Sequence, residues 1–350
     1  MTERNTMRKW AGGWGWIIAV LLVASLVLNI LGLILPFLEI DEALHSKVTY
    51  SLPHSVHLMW EHKLYFIAGL ILGFSIIFPF VKLAALFSAW FIPWKSTSRA
   101  TFLHWIELLG KWSYMDIFVV ILLLSLTSNQ DFISSTIHIG VYFFIGAITL
   151  SMIISQIVLE LARKIAAKES VAQKYSSKRR WMVFDNLYLG WTVPVLTIIA
   201  GGALIESFHA PFLQIHQFFL ASTIFSITEI ATLLQTNQHI VLLIILIGTV
   251  AVIPLLRLLI LFVSWLIPMR IQHHIRVKLI VEGLSRWSML DVFGLSLFLV
   301  ATEGKDLVNT ETLPGLRTVI GTIALCYLLG FVAVSLHKAM IKNEKFTEAS

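Results

Sequence analysis

The sequence has few charged residues and almost no cysteine. Lysine, arginine, aspartate and glutamate make up 13% of the 350 residues, against about a quarter in an average soluble domain. The single cysteine, Cys326, excludes an intrachain disulfide and any zinc site built from cysteine pairs. With 57% hydrophobic residues and a mean hydropathy of +0.84, the chain is predicted to be a polytopic membrane protein.

The motifs of several enzyme classes are also missing. The sequence contains no GxxxxGK[ST], no HExxH and no GxSxG, so nothing predicts a P-loop nucleotide hydrolase, a zinc protease or a serine hydrolase. His45, His54, His57 and His62 crowd one loop, but their spacing is irregular for metal ligands. We therefore expect neither enzymatic activity nor a metal or other cofactor. The net charge of +6 is distributed as membrane topology requires, so no nucleic-acid partner is predicted.

Long apolar runs predict eight membrane-spanning helices. A bilayer core of about 30 Å needs about 20 apolar residues per helix. Runs of that kind lie at about 16–36, 64–92, 112–128, 138–162, 187–208, 238–266, 287–302 and 316–337. Most of the 26 lysine and arginine residues fall in the two tails and in the segments 95–111, 163–180 and 270–286. Both termini are therefore predicted to be cytoplasmic.

The chain repeats itself at a constant offset of 175 residues. LGKWSYMDIF at 109–118 returns as LSRWSMLDVF at 284–293, with five of ten residues identical, and 79–93 returns as 254–268. Each copy has four helices, so the two copies face the same way across the membrane. The predicted domains are a first four-helix unit at 1–165, a basic cytoplasmic linker at 166–186 and a second unit at 187–350.

The predicted fold is thus an all-α polytopic membrane protein with a tandem parallel repeat. Small extracytoplasmic β-hairpins are predicted at 37–52 and 212–227, where apolar and polar residues alternate loosely.

Four charged residues lie well inside the predicted spans, away from the span ends. They are the repeat mates Lys82 and Arg257, and the mates Asp116 and Asp291. Each charge at the bilayer centre costs about 2.5–3.5 kcal/mol on insertion scales, so these residues are candidates for function. Lys82 and Arg257 each lie three residues after a proline, Pro79 or Pro254, which leaves a backbone carbonyl without its helical donor.

We expect Lys82 to pair with Asp116 and Arg257 with Asp291. The pairs have two interpretations. They are either structural ion pairs that fix one helix to the next, or a polar track, a row of polar groups inside the membrane that binds headgroups or relays protons. Ser113 and Ser288 are predicted to bond to backbone at helix starts. Glu107 and Glu282 are expected to be solvated just outside the third helix of each unit. Gly69 and Gly73 form a GxxxG pattern, which predicts a close helix contact.

The doubled motif resembles the paraquat-inducible protein A family of bacterial inner-membrane proteins. The residues that carry the resemblance are Lys111-Trp112-Ser113 with Asp116-Ile117-Phe118, and Arg286-Trp287-Ser288 with Asp291-Val292-Phe293. The resemblance implies a periplasmic partner with an MCE domain and movement of lipids, which we expect to be phospholipids, between inner and outer membranes in support of envelope integrity. Members commonly carry zinc-ribbon CxxC pairs before each four-helix unit, and this chain has none, so the resemblance implies no zinc here.

Two other functions remain open at this stage. The chain could be a non-transporting scaffold for a periplasmic partner, in which case the extracytoplasmic hairpins would matter more than the buried charges. It could also be an independent carrier of small solutes driven by an ion gradient.

Overall fold

The computed structural model describes residues 6–7, 13, 15–42, 48–93, 96–127, 133–169, 179–180, 190–217, 221–303 and 310–347. Within these residues, eight helical segments are long and apolar enough to cross a membrane, here numbered spans 1 to 8. In chain order they are Gly15–Ile34, Ala68–Phe91, Thr101–Leu126, Ile139–Ile165, Thr192–His209, Ile240–Leu266, Arg276–Thr302 and Gly315–Leu336. The prediction of a multi-pass membrane protein with eight spans is confirmed.

The chain forms two compact units of four spans each. Unit 1 is Met1–Gln173 and unit 2 is Lys174–Ser350, so the boundary falls inside the segment 166–186 that was predicted as a linker. The first residues of that segment end the helix Ile139–Glu169, and Arg179–Arg180 forms a short strand. The rest of the linker lies outside the described residues.

In unit 1, short elements join and interrupt the spans. Strands β1 (Leu38–Glu42) and β2 (Val48–Tyr50) and a helix, Leu52–Glu61, lie between spans 1 and 2, and strand β3 (Ile133–Ile137) precedes span 4. Span 2 consists of a helix, a π-helical turn and a second helix: Tyr65–Ile71, Leu72–Ile77 and Phe78–Phe91. Span 3 is also interrupted, and its three parts are the helix Ser96–Gly110, the 3₁₀ turn Lys111–Tyr114 and the helix Met115–Thr127.

Unit 2 repeats most of these elements at the offset that the sequence shows, although the 3₁₀ turn of span 3 is not repeated and two short strands are additional within the described residues. Its strands are β4 (Arg179–Arg180), β5 (Leu213–Gln217), β6 (Ala221–Phe225), β7 (Met269–Arg270) and β8 (Thr310–Thr312). Its helical segments are Thr192–His209, Ile227–Thr236, Ile240–Leu246, the π-helical turn Ile247–Val252, Ile253–Leu266, Ile271–Trp287, Leu290–Glu303 and Gly315–Thr347. Both π-helical turns therefore sit at the same place in their units and end two residues before a proline.

A three-stranded antiparallel sheet covers one end of each unit, where spans 1 and 2 and spans 3 and 4 are joined. The strand order is β2-β1-β3 in unit 1 and β6-β5-β8 in unit 2. Matched residues pair in both sheets, since Leu38 faces Tyr50 and Leu213 faces Phe225. The predicted hairpins are confirmed, whereas β3 and β8 were not predicted from the sequence.

Individual hydrogen bonds repeat as well. The indole of Trp90 donates to the carbonyl of Gly15 at 3.2 Å, and the indole of Trp265 donates to Gly190 at 2.8 Å. The N–H groups of Gly140 and Gly315 donate to Pro36 and Pro211 at 3.1 and 3.0 Å. A Cβ atom at either glycine would lie 2.5 Å or less from that proline carbonyl, so glycine is required where the last span of each unit begins.

The GxxxG pattern in span 2 does not mark a helix contact. Apart from the neighbouring backbone of its own helix, no atom of the described residues lies within 4 Å of the position that a Cβ would take at Gly69 or Gly73. In unit 1 the close contact lies instead between spans 1 and 4, where a Cβ at Gly32 would be 2.9 Å from the backbone of Phe144. The prediction from Gly69 and Gly73 is therefore wrong, because the pattern shows small residues without showing what they face.

Candidate functional site

Span 2 contains a break in its helical hydrogen bonding beside Pro79. The N–H of Phe78 donates to the carbonyl of Gly73, one residue farther back than in an α-helix, and Pro79 has no N–H. The carbonyl of Phe74 is therefore left without a donor from its own helix. The hydroxyl of Ser113 in span 3 donates to it at 3.1 Å, so Ser113 bonds to the neighbouring span and not to its own helix start.

The same break recurs beside Pro254 in span 6. The N–H of Ile253 donates to Gly248, which leaves the carbonyl of Thr249 for a donor from span 7. That donor is the backbone N–H of Met289, at 3.1 Å, which is available because the helix of span 7 is interrupted at Ser288 and Met289. Each unit therefore joins two interrupted helices through one backbone carbonyl, close to its intramembrane basic residue.

In unit 1 the ammonium of Lys82 is enclosed by the protein. Lys82 is 2% exposed, and its Nζ donates to the hydroxyl of Ser151 in span 4 at 3.1 Å. Ser151 in turn donates to the carbonyl of Ile148 at 2.8 Å. The carboxylate that acts electrostatically on Lys82 is that of Glu107, so the predicted Lys82–Asp116 pair is not formed.

Glu107 is buried, contrary to the expectation of a solvated carboxylate. Only 3% of its surface is exposed, because the third span begins at Thr101, earlier than the apolar run alone indicated. Its mate Glu282 is half-buried in unit 2 and lies 3.8 Å from Lys278. Glu107 is thus the functional candidate that sequence reasoning missed, and its invariance as an acid in both copies of the repeat was the available signal.

Asp116 is buried in the core of unit 1, and no described residue provides a counter-charge. It is 4% exposed, and within the described residues neither carboxylate oxygen meets a hydrogen-bond donor. The hydroxyl of Ser75, which is also buried, lies beside it without the geometry of a hydrogen bond. A carboxyl group held this way is costly while ionised, so the site is suited to binding a proton or a cation.

In unit 2 the charged residues do come together. The carboxylate of Asp291 and the side chains of Tyr327 and Cys326 act electrostatically on Arg257. The phenol of Tyr327 donates to Asp291 at 2.5 Å, and the backbone N–H of Val292 donates to the other carboxylate oxygen at 3.0 Å. The predicted association of Arg257 with Asp291 is therefore seen, with Tyr327 of span 8 as a third member that was not predicted.

A glycine makes room for each buried cation, and its position differs between the units. A Cβ at Gly110 would lie 2.9 Å from Nζ of Lys82, whereas the mate of Gly110 is Ser285. A Cβ at Gly330 would lie 3.2 Å from a guanidinium nitrogen of Arg257. Lys82 is thereby directed toward span 3, and Arg257 toward span 8.

The two units also differ in how deeply their matched residues are buried. In unit 1 the helix Ser96–Gly110 packs against span 4, and Lys111, Ser113 and Tyr114 are buried. In unit 2 the matching helix Ile271–Trp287 packs mainly against span 6, and its residues from 281 onward are half-buried. The charged residues of unit 1 are thus enclosed, while Arg257 and Asp291 of unit 2 are half-buried.

Comparison with known proteins identifies the family. The sequence model described as Paraquat-inducible protein A matches residues 17–161 and again 191–341. The chain belongs to the paraquat-inducible protein A family. No curated protein and no solved structure matches the chain. Each match covers one four-span unit, so the family model itself recognises the repeat.

The family's motif residues lie at the two breaks. Trp112 packs near Phe74 of span 2, with ring centroids 6.1 Å apart, beside the carbonyl that Ser113 binds. In the second copy, Trp287 is the last residue of its helix and Ser288 lies in the interruption. Among the described residues no group of three or more histidine, cysteine, aspartate or glutamate side chains is arranged to hold a metal ion.

Proposed function

We propose that the chain is an inner-membrane component of a lipid-transport pathway that works with a periplasmic MCE-domain partner. The lipid is a phospholipid, it moves between the inner and outer membranes, and the pathway supports envelope integrity. Membership of the paraquat-inducible protein A family supports this proposal. The observation that carries it is the pair of charged sites held beside interrupted helices inside the spans.

Interrupted helices and buried charges are both unfavourable in a membrane. Non-helical backbone at membrane depth is tolerated only where protein or a cavity satisfies it, and here a neighbouring span does so at Phe74 and Thr249. A carboxylate such as Asp116, without a hydrogen-bond donor among the described residues, adds a further cost. Groups kept at this cost are candidates for binding polar cargo or protons.

The distribution of basic residues gives the proposed orientation. The termini and the segments 95–111 and 270–286 are basic, so we place them in the cytoplasm. The sheets β2-β1-β3 and β6-β5-β8 then lie on the periplasmic side, where a periplasmic partner would reach them.

Substitution of the two aspartates tests the proposal. Asp116→Asn and Asp291→Asn, separately and together, are expected to abolish rescue of an envelope defect while protein abundance in the membrane stays unchanged. Asn keeps the size of the side chain and removes its charge and its proton affinity. If abundance falls in step with rescue, the aspartates are structural, and the proposal that they form a polar track for headgroups or protons (the polar-track proposal) fails.

A scaffold function is the second candidate, and the repeated sheets favour it. Strands β2 and β6 are edge strands, and an exposed edge can pair with a strand of another protein. Proline at Thr49 of β2 and at Thr223 of β6 would remove N–H groups from these edges. If these variants abolish partner capture and rescue while the aspartate variants retain both, the scaffold function is correct.

A further inference from the structure

The charged cluster of unit 2 brings together residues of spans 6, 7 and 8 and is partly exposed. We call this site the groove and define it by Arg257 of span 6, Asp291 of span 7, and Tyr327 and Gly330 of span 8. Tyr327 is 58% exposed and Arg257 is half-buried, although all four residues lie within membrane-spanning segments. The groove therefore opens sideways, toward the space that lipid fills.

Arg257 has hydrogen-bond donors to spare. Asp291 is already engaged by the phenol of Tyr327 and the N–H of Val292. In the described part of the chain the guanidinium of Arg257 donates no hydrogen bond, although Asp291 acts on it electrostatically. A guanidinium offers five N–H donors in a planar fork that matches the oxygens of a phosphate.

The rim of the groove is apolar. Tyr327, Phe331 and Val334 follow one another at i, i+4 and i+7, so they lie on one face of span 8. Phe331 is 73% exposed and Val334 is 39% exposed. A polar floor beside an exposed apolar face is complementary to a molecule with a charged head and hydrocarbon chains.

The matching region of unit 1 has none of these properties. Lys82 is buried and donates to Ser151, and Gly330 is replaced at the matching position by Ser155, which is fully buried. The residue that matches Tyr327 is Met152, which cannot hold the carboxylate of Asp116. The two units therefore differ in access as well as in residue type.

We propose that the groove of unit 2 binds the phosphate of a phospholipid headgroup through Arg257, with the acyl chains against Phe331 and Val334, and that unit 1 does not bind lipid at its matching site. Tyr327 keeps Asp291 turned away from the phosphate by binding its carboxylate. This inference rests on the proposed function, because it names the unit and the residue that hold the lipid. The two units of the duplicated chain would then have different functions, since unit 2 binds lipid and the matching site of unit 1 is closed.

Photo-crosslinking in nanodiscs tests the inference on the full chain. The probe is phosphatidylglycerol with a diazirine near the headgroup, and adducts are mapped by mass spectrometry of peptides. Adducts on spans 6 and 8 are expected to exceed those on spans 2 and 4 several-fold, because the site in unit 2 is partly exposed and the site in unit 1 is buried. Arg257→Met should lower the unit 2 adducts several-fold, whereas Arg257→Lys should keep part of them.

Arg276→Met is the matched control, because Arg276 is an exposed arginine outside the groove. It should leave the unit 2 adducts unchanged. Equal labelling of the two units, or labelling that Arg257→Met does not lower, would overturn the inference.

Cys326 provides a second test that needs no variant. It is the only cysteine of the chain, is half-buried, and lies close to Arg257. Phosphatidylglycerol should slow its reaction with a maleimide several-fold relative to a diacylglycerol of the same chain length. An equal rate with both lipids would contradict phosphate binding in the groove.

Neither test requires a partner protein or transport, so the inference and the proposed function can fail separately. If lipid labels the groove while the aspartate variants rescue fully, the site stands and the polar-track proposal falls. If rescue is lost but labelling is equal in both units, the pathway stands and this lipid site falls.

Discussion

Lys82 and Arg257 occupy matched positions but have different neighbours. A glycine beside each cation decides which way the side chain extends, Gly110 for Lys82 and Gly330 for Arg257. Sequence reasoning found both cations and both aspartates because charge is rare in the spans. It found the association of Arg257 with Asp291 but not the partners of Lys82, since those required knowing that span 3 is interrupted at 111–114 and that Glu107 is enclosed.

Substitution of Gly110 is expected to disturb the position of Lys82 and to lower the stability of the protein. Gly110→Ser copies the residue of unit 2 at the matching position, and its Cβ would push Nζ of Lys82 away from Ser151. Loss of one buried charge-assisted hydrogen bond costs about 1–3 kcal/mol, so thermal stability in detergent should fall clearly. The reverse control, Ser285→Gly, should change stability little; if both variants melt alike, the glycine does not position Lys82.

His274, which lies outside the spans, is expected to make the stability of the protein depend on pH. It is buried at 4% exposure, and burial, followed by the nearby His273, lowers its pKa below the ordinary value of 6.5. The unfolded chain then binds the proton more readily than the folded chain, so this residue's contribution to stability falls as the pH drops below about 6.5. His274→Gln should reduce the loss of melting temperature between about pH 7.5 and pH 5.5; an unchanged loss would show that other groups cause it.

At the scale of elements, hydrophobic runs and the internal repeat predicted most of the fold. All eight spans and both hairpins follow from these patterns. The strands β3 and β8 were missed because ISSTI and TET are short and polar. The early start of span 3 was missed because Arg99, His104 and Glu107 interrupt the apolar run, and the structure buries Arg99 and Glu107.

The hydrogen bonds at the interrupted helices predict that matched serine substitutions affect stability differently in the two units. Ser113→Ala removes the donor to the carbonyl of Phe74, whereas Ser288→Ala leaves the bond from Met289 to Thr249 in place, since that donor is backbone. Ser113→Ala is therefore expected to be destabilised by about 1 kcal/mol relative to Ser288→Ala. Equal melting temperatures for the two variants would contradict this account of the breaks.

For the whole molecule, the duplication produces two units with the same elements and different sites. The offset of 175 residues preserves the π-helical turns, the helices that flank them and the pairing of the matched strands. It does not preserve the residues around the cation, where Ser151, Met152 and Ser155 correspond to Cys326, Tyr327 and Gly330. The sequence could show that these residues differ, but only their burial shows that one site is closed and the other open.

Purification from native membranes tests whether the chain is a membrane component of a lipid-transport pathway. The chain would be captured in mild detergent, and proteins and lipids would be identified by mass spectrometry in the same eluate. We expect an MCE-domain protein in stoichiometric amount and phospholipid enriched over the bulk membrane. An eluate with no such protein and with lipid at bulk composition would contradict the proposed pathway and would favour an independent carrier.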